Sequence, residues 1–276
     1  MLTKKLLIDL PPIVDNHLNT LKNKILNGEI IYKGKNARDE FIDKAHTFFT
    51  SSNLYHLHNI ETLPHVDIIM GCQHFIDGLL VKHGINGVQI LENDYGYYKR
   101  LNPLIIFAKE GQLENKKPLL MSAPTPGYLD LRPNFNKILN ECQEKEIPVH
   151  LDACWLGASK DIEIDLSHPA IYSIGMSLSK GQGFDWNRIG LRWSRMHDDH
   201  DNICLMNDNG MIPEQLIANG ILAIDNISID YLWNTYGDRH QKVCQELKLR
   251  PTKMIHVAQS LDRSKLFGLK DILTQG

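Results

Sequence analysis

Lys180 stands in the run Ser177-Leu178-Ser179-Lys180-Gly181-Gln182-Gly183-Phe184-Asp185-Trp186-Asn187-Arg188-Ile189-Gly190, and Asp152-Ala153-Cys154-Trp155 begins twenty-eight residues before it. A lysine amine becomes nucleophilic at neutral pH when it is desolvated and set beside cationic groups. The arginine eight residues on supplies such a charge, and its planar fork can clamp a phosphate bidentately, which a second lysine could not do. Taken alone, a lysine after Ser-x-Ser is more often a solvated surface group. Here it follows the apolar, β-rich stretch 170–176 and sits among glycines, where a sheet presents side chains to a cleft. Asp152 closes the apolar run Ile147-Pro148-Val149-His150-Leu151, so it is either a turn or capping aspartate or a carboxylate aimed at the same cleft.

Two further segments carry side chains toward such a site. Met70-Gly71-Cys72-Gln73-His74 leads from a β-rich run through a glycine into a helical pattern, so free backbone N–H groups and the helix dipole would face an anion. His74 reads as a partly buried core histidine. Asn93-Asp94-Tyr95-Gly96-Tyr97-Tyr98 follows the next β-rich run and offers three aromatic rings, of which Tyr95 is the first choice to pack a flat ligand and exclude water, with Tyr97 and Tyr98 equally aromatic.

In this order and spacing, over about residues 66–193, these segments resemble pyridoxal-phosphate-dependent enzymes of the aspartate aminotransferase superfamily (fold type I, class I/II aminotransferase-like). The resemblance implies that Lys180 holds pyridoxal 5'-phosphate as a Schiff base and shuttles a proton. It implies that Asp152 pairs with the protonated pyridine nitrogen, and that Ser177 and Arg188 hold the phosphate. Gly71, Cys72 and Gln73 match the family's Gly-x-Gln segment, and Tyr95 matches its stacking aromatic. Trp155 stands where the family usually has a tyrosine reaching the phenolic oxygen. In Ser122-Ala123-Pro124-Thr125-Pro126-Gly127 a proline without a donor stands where the family has an asparagine. Arg250 and Arg263, the only arginines after Arg239, match no carboxylate-binding arginine and read as surface residues. The implied activity is transamination of an amino acid or amine by a homodimer. Decarboxylation, β- or γ-elimination, Claisen-type condensation and a non-catalytic homologue are the alternatives, because fold does not choose among them.

The elements that must position these residues read as an α/β fold. Apolar β-rich runs at 66–70, 88–91, 104–108, 119–121, 149–151, 170–176 and 189–193 alternate with helical patterns at 73–82 and 134–145, which predicts a mostly parallel sheet. The resemblance makes this a three-layer α/β/α large domain with a reduced small C-terminal subdomain. Residues 13–51 predict two helices around 28–34; after a polar stretch at 196–202 the pattern turns mainly helical, at 213–227 and 231–248. The expected division is an N-terminal helical arm (1–60), a cofactor-binding large domain (61–200) and the small C-terminal subdomain (201–276).

Composition fits small-molecule chemistry. The 276 residues are 42% hydrophobic and 23% charged with a net charge of −3, so there is no basic field for nucleic acid and no polybasic run for a membrane surface. Five scattered cysteines without a CxxC pair spell neither a disulfide framework nor a metal site and suit a reducing compartment. Asp9 and two prolines interrupt the first leucines, so the start reads as an arm rather than a signal peptide. No apolar run approaches the roughly 18 residues a membrane span needs, and a cytoplasmic protein is expected.

Overall fold

The computed structural model describes residues 11–84, 86–101 and 107–275, and of Tyr98 and Lys99 the backbone only. Two helices come first, α1 (Asn16–Leu26) and α2 (Ala37–Thr50), as the periodicity predicts. Each starts where a side chain can satisfy an orphan amide: Asp15 accepts from the N–H of Leu18 and Asn36 from that of Asp39. Strands and helices then alternate through β1 (Tyr55–His58), β2 (His65–Ile69), α3 (Gly71–His83), β3 (Gln89–Ile90), α4 (Tyr97–Leu101), β4 (Leu119–Ser122), α5 (Phe135–Glu144), β5 (Val149–Asp152), β6 (Ile162–Asp165), β7 (Ile171–Ser177), α6 (Leu178–Gly181) and β8 (Gly190–Ser194). The remainder comprises α7 (Asn202–Asp208), α8 (Glu214–Asn226), α9 (Tyr231–Glu246), β9 (Leu249–Pro251), β10 (Val257–Ser260), β11 (Leu266–Gly268) and α10 (Lys270–Thr274).

Six strands form one sheet in the order β2-β8-β7-β5-β4-β3. β3, β4, β5 and β7 run parallel, and β8 runs antiparallel to both its neighbours. Side chains alternate across it. Leu119, Met121, Leu151, Ile174 and Trp193 share one core with Phe41 and Phe49 of α2, whereas Ile69 and Leu120 pack with Phe75, Ile76 and Leu79 of α3 in another. Helices therefore cover both faces, giving the three-layer α/β/α architecture that the resemblance implies.

The α3 face also carries a polar row across the strands, with Asp67, Arg192, Gly175, Asp152 and Ser122 paired in register. At one end the row is closed by charge: Arg192 donates to Asp67 at 2.7 Å and to Asp201 at 2.9 Å, all buried, which anchors the polar segment after β8. At the other end Asp152 and Ser122 open into a cavity. Gly175 separates the two, since a Cβ there would stand 2.9 Å from the Phe75 ring.

Five short strands escape the periodicity. β1 pairs parallel with β6 outside the main sheet, and β9, β10 and β11 form an antiparallel sheet where the pattern predicts mainly helix. The predicted run at 104–108 falls largely outside the described residues; Ala108 forms an isolated parallel bridge with Leu91.

The segment before α1 is tied across the cavity. Ile13 N donates to His256 Nε2 at 3.2 Å, and the hydroxyls of Tyr231 and Tyr236 both donate to Asp15 Oδ2, at 2.7 and 2.6 Å. Burial alone would raise the Asp15 pKa, but the Leu18 N–H and the two hydroxyls outweigh it and hold the carboxyl below its usual value. That stabilisation is present above the ordinary aspartate pKa of about 4 and is lost as pH falls through the depressed folded value. Asp15→Ala is expected to lower the unfolding free energy by about 1–2 kcal/mol, read as a lower urea midpoint at pH 7; an unchanged midpoint would show that the tie contributes nothing.

Candidate active site

β7 ends at Ser177 and turns directly into the single turn α6, which carries Ser179 and Lys180. Gly181 lets this turn lie against the chain after β5, because a Cβ there would meet the Gly157 carbonyl oxygen at 2.5 Å. The close approach sets Lys180 Nζ 4.9 Å from the centre of the Trp155 ring. That ring packs edge-to-face with His256 in turn, the ring centroids 5.1 Å apart. Lys180 is half-buried, and burial lowers its pKa; Arg188 and Lys270 add to the fall, against the opposite pull of Cys154 and Asp185. The environment thus enriches the neutral amine.

Asp152 ends β5, is buried, and lines the same cavity as the lysine. Its Oδ1 accepts from the Cys154 N–H at 3.1 Å, and among the described residues no basic group forms an ion pair with it. Burial accordingly pushes its pKa well above the usual carboxylate range, reinforced by Cys154. A cation placed against this carboxylate would reverse the shift.

Gly71 opens α3 at φ +75°, and a Cβ there would stand 3.0 Å from Arg188 Nε. No side chain caps α3, so its first amides and the exposed Arg188 guanidinium together make an anion cradle. His74 Nδ1 accepts from Met70 N at 3.1 Å, a local structural role consistent with its reading as a packed histidine.

A cavity of about 280 Å³ is lined by Lys180, Asp152, Arg188, Trp155, Tyr95, Cys72 and Gln73, seven of the nine residues marked out in the sequence. Of the three tyrosines, Tyr95 lines it, while the Tyr97 hydroxyl donates to Asp77 at 2.8 Å and accepts from Gln73 at 2.9 Å; the Tyr98 side chain lies outside the described residues. Gly71 stands behind the guanidinium. Ser177 does not reach the lining: its hydroxyl is buried 4.0 Å from Cys154 Sγ. Ser179 lines the cavity instead, with its Oγ buried and without a hydrogen-bond partner among the described residues.

Sequence reasoning also passed over Cys154, Asp185, Ser122, Pro11 and Pro12, which complete the wall together with Ile76 and Pro126. Ser122 is held there by Asp94, which accepts from its N–H at 3.1 Å and its hydroxyl at 2.5 Å. Pro124 follows a cis peptide and offers no donor. Arg250 and Arg263 lie elsewhere, on a surface depression with Gly127, Asp130 and Lys253.

Sheet order, layers and site together define the architecture as fold type I, that of the aminotransferases. The chain is similar to the crystal structure of an aminotransferase from Mycobacterium tuberculosis (12% identity, TM-score 0.63, covering 91% of this chain and 77% of that one). It is also similar to alanine aminotransferase from Pyrococcus furiosus (13%, 0.60, 91% and 73%) and to a PLP-bound C-S lyase from Staphylococcus hominis (10%, 0.52, 90% and 76%). No family model matches the chain, and no curated protein matches it by sequence.

Proposed function

We propose that this protein is a pyridoxal-phosphate-dependent enzyme acting on an amino acid or amine, and specifically an aminotransferase. The observation that carries the reading is the convergence, on one cavity, of the half-buried Lys180, the buried Asp152 with no basic partner among the described residues, and Arg188 over the uncapped start of α3. The donor set fits the cofactor group by group. Lys180 would hold its aldehyde carbon, Asp152 its ring nitrogen, and Arg188 with the α3 amides its phosphate. The orphaned Ser179 hydroxyl supplies a further donor in the cavity wall, and Tyr95 and Trp155 supply flat apolar surface. Ser177 would contribute to the phosphate end only indirectly, from behind Cys154.

When bound, the cofactor supplies an electron-withdrawing ring that weakens bonds at the substrate's amine-bearing carbon. The chain's own residues then divide the work. Lys180 Nζ, its pKa lowered by burial, would take the proton from that carbon and carry it to the cofactor's aldehyde-derived carbon, as transamination requires. Asp152, negatively charged beside a cationic nitrogen, keeps that nitrogen protonated. Arg188 fixes orientation, and the tied segment at Pro11 and Pro12 screens the cavity from water.

Lys180 and Arg188 are the only basic residues in the described lining, so a dedicated arginine for a substrate carboxylate is not among them. This favours an amine substrate or decarboxylation as the second reading. The small C-terminal subdomain (201–276), the arm (1–60), the large domain (61–200), a homodimer and a cytoplasmic location belong to the same proposal. It is supported by Asp185 and Arg188 lying exposed at the cavity rim and by the absence, among the described residues, of any helix long and apolar enough to cross a membrane.

The test is a panel of amino acids and amines with a keto-acid acceptor. Formation of a new amino acid with loss of the donor amine is expected; release of carbon dioxide or ammonia instead would replace transamination with decarboxylation or elimination. At the phosphate end, Gly71→Ala forces a left-handed alanine, which costs about 1–2 kcal/mol, and presses on Arg188. Pyridoxal-phosphate affinity is expected to fall about tenfold or more in a fluorescence titration, and an unchanged affinity would remove Gly71 from the cradle.

A further inference from the structure

We infer that the floor of the cavity is also a binding site for a thiophilic divalent cation, formed by Cys72 Sγ, Cys154 Sγ and the Asp152 carboxylate, and that cation and cofactor occupy it in alternation. The three ligand atoms lie within 4.8 Å of one another, and all three residues line the same cavity. In a tetrahedral zinc centre, bonds of about 2.0–2.3 Å put ligands roughly 3.3–3.8 Å apart, so rotation about the cysteine χ1 angles would close the remaining gap. The ligands are held by the regular elements: Asp152 ends β5, Cys154 is tied to it through its N–H, and Cys72 lies in the first turn of α3, its Sγ 3.5 Å from the Gly175 carbonyl oxygen. The fourth position faces the cavity, as in metal sites that keep an open place for water.

Charge selects the same kind of ion. Two thiolates and a carboxylate around a divalent ion leave one net negative charge, which Lys180 and Arg188 at the same cavity would stabilise although they would repel a bare cation. Both thiols would release their protons on binding the ion, as thiolate ligation requires. Two sulfur ligands select zinc or cadmium over magnesium or calcium. Cys142, Cys204 and Cys244 are buried and belong to no such cluster among the described residues. Cation binding itself is independent of the proposed enzymatic function; only the alternation rests on it, because Asp152 can serve the ring nitrogen or the metal.

The reduced, cofactor-free full chain titrated with Co²⁺ is expected to bind one ion, with thiolate-to-cobalt charge-transfer absorption that Zn²⁺ abolishes. Cys72→Ser and Cys154→Ser should each weaken binding at least a hundredfold. Because a variant could fail to fold, the unmutated chain is also alkylated with and without Zn²⁺ and mapped by mass spectrometry, where protection confined to Cys72 and Cys154 is expected. No charge-transfer band, a band surviving in both variants, or unchanged alkylation overturns the site. Pyridoxal phosphate is then added to the cobalt form. Loss of the band supports alternation, whereas cofactor bound beside undisturbed cobalt overturns it. Cobalt bound as expected while pyridoxal phosphate fails to bind even the metal-free chain sinks the cofactor reading and leaves the cation site standing.

Discussion

Lys180→Ala is expected to leave the chain folded and to slow turnover of its amino substrate by ~10⁴-fold or more. Two losses combine in that figure: the nucleophile that holds the cofactor, and the base that moves the proton, the latter alone worth about 10²–10⁴. Folding should survive because the side chain is only half-buried against Trp155, and because α6 is placed by the contact between Gly181 and Gly157, which the substitution leaves alone. Lys180→Arg separates charge from chemistry. It keeps a cation in the cavity but has no neutral amine near pH 7, so it should be as inactive as the alanine variant. Steady-state kinetics on the best substrate from the donor panel decides the matter. An arginine variant retaining a tenth of the activity would mean that Lys180 acts only as a charge.

Asp152→Asn comes second in size. A unit-charge pair at about 4 Å is worth ~4 kcal/mol at an effective dielectric near 20, so removing the charge should cost roughly 10³-fold in rate. The same substitution should not destabilise the cofactor-free protein. Burial raises the folded pKa of Asp152 above its unfolded value; above the unfolded pKa the folded state therefore pays for holding this carboxylate, and the penalty persists as pH rises. Asparagine removes it and can still accept from the Cys154 N–H. Thermal unfolding at pH 7 should give a melting temperature equal to or above that of the unmodified apo-protein, alongside the large kinetic loss. A lower melting temperature would show that Asp152 is a structural residue with a favourable partner.

How far the site was legible depends on how local each contact is. Lys180 and Asp152 could be placed because each comes at the end of a strand whose apolar run is visible, and Arg188 because it comes just before β8, whose antiparallel course brings its start to the same edge of the sheet. The exchange between Ser177 and Ser179 was not visible, since it turns on where β7 stops. Ser177 is still strand and faces inward toward Cys154, whereas Ser179 belongs to the following helical turn. Tyr95 separates from Tyr97 only through Asp77 and Gln73, two positions on α3. Pro11 and Pro12 reach the cavity through a bond between Ile13 and His256, partners 243 residues apart. The strands β9 to β11 were missed because runs of three or four residues carry no reliable period.

The central claim is that Lys180 is the residue to which pyridoxal phosphate attaches. The direct measurement is the absorption spectrum of the purified chain with the cofactor, before and after borohydride reduction, followed by peptide mapping and repeated on Lys180→Ala. A visible cofactor band is expected in the unmodified chain that borohydride bleaches, with the cofactor then fixed to Lys180, and no fixation is expected in the variant. A band that never forms, or cofactor fixed to any other lysine, would contradict it.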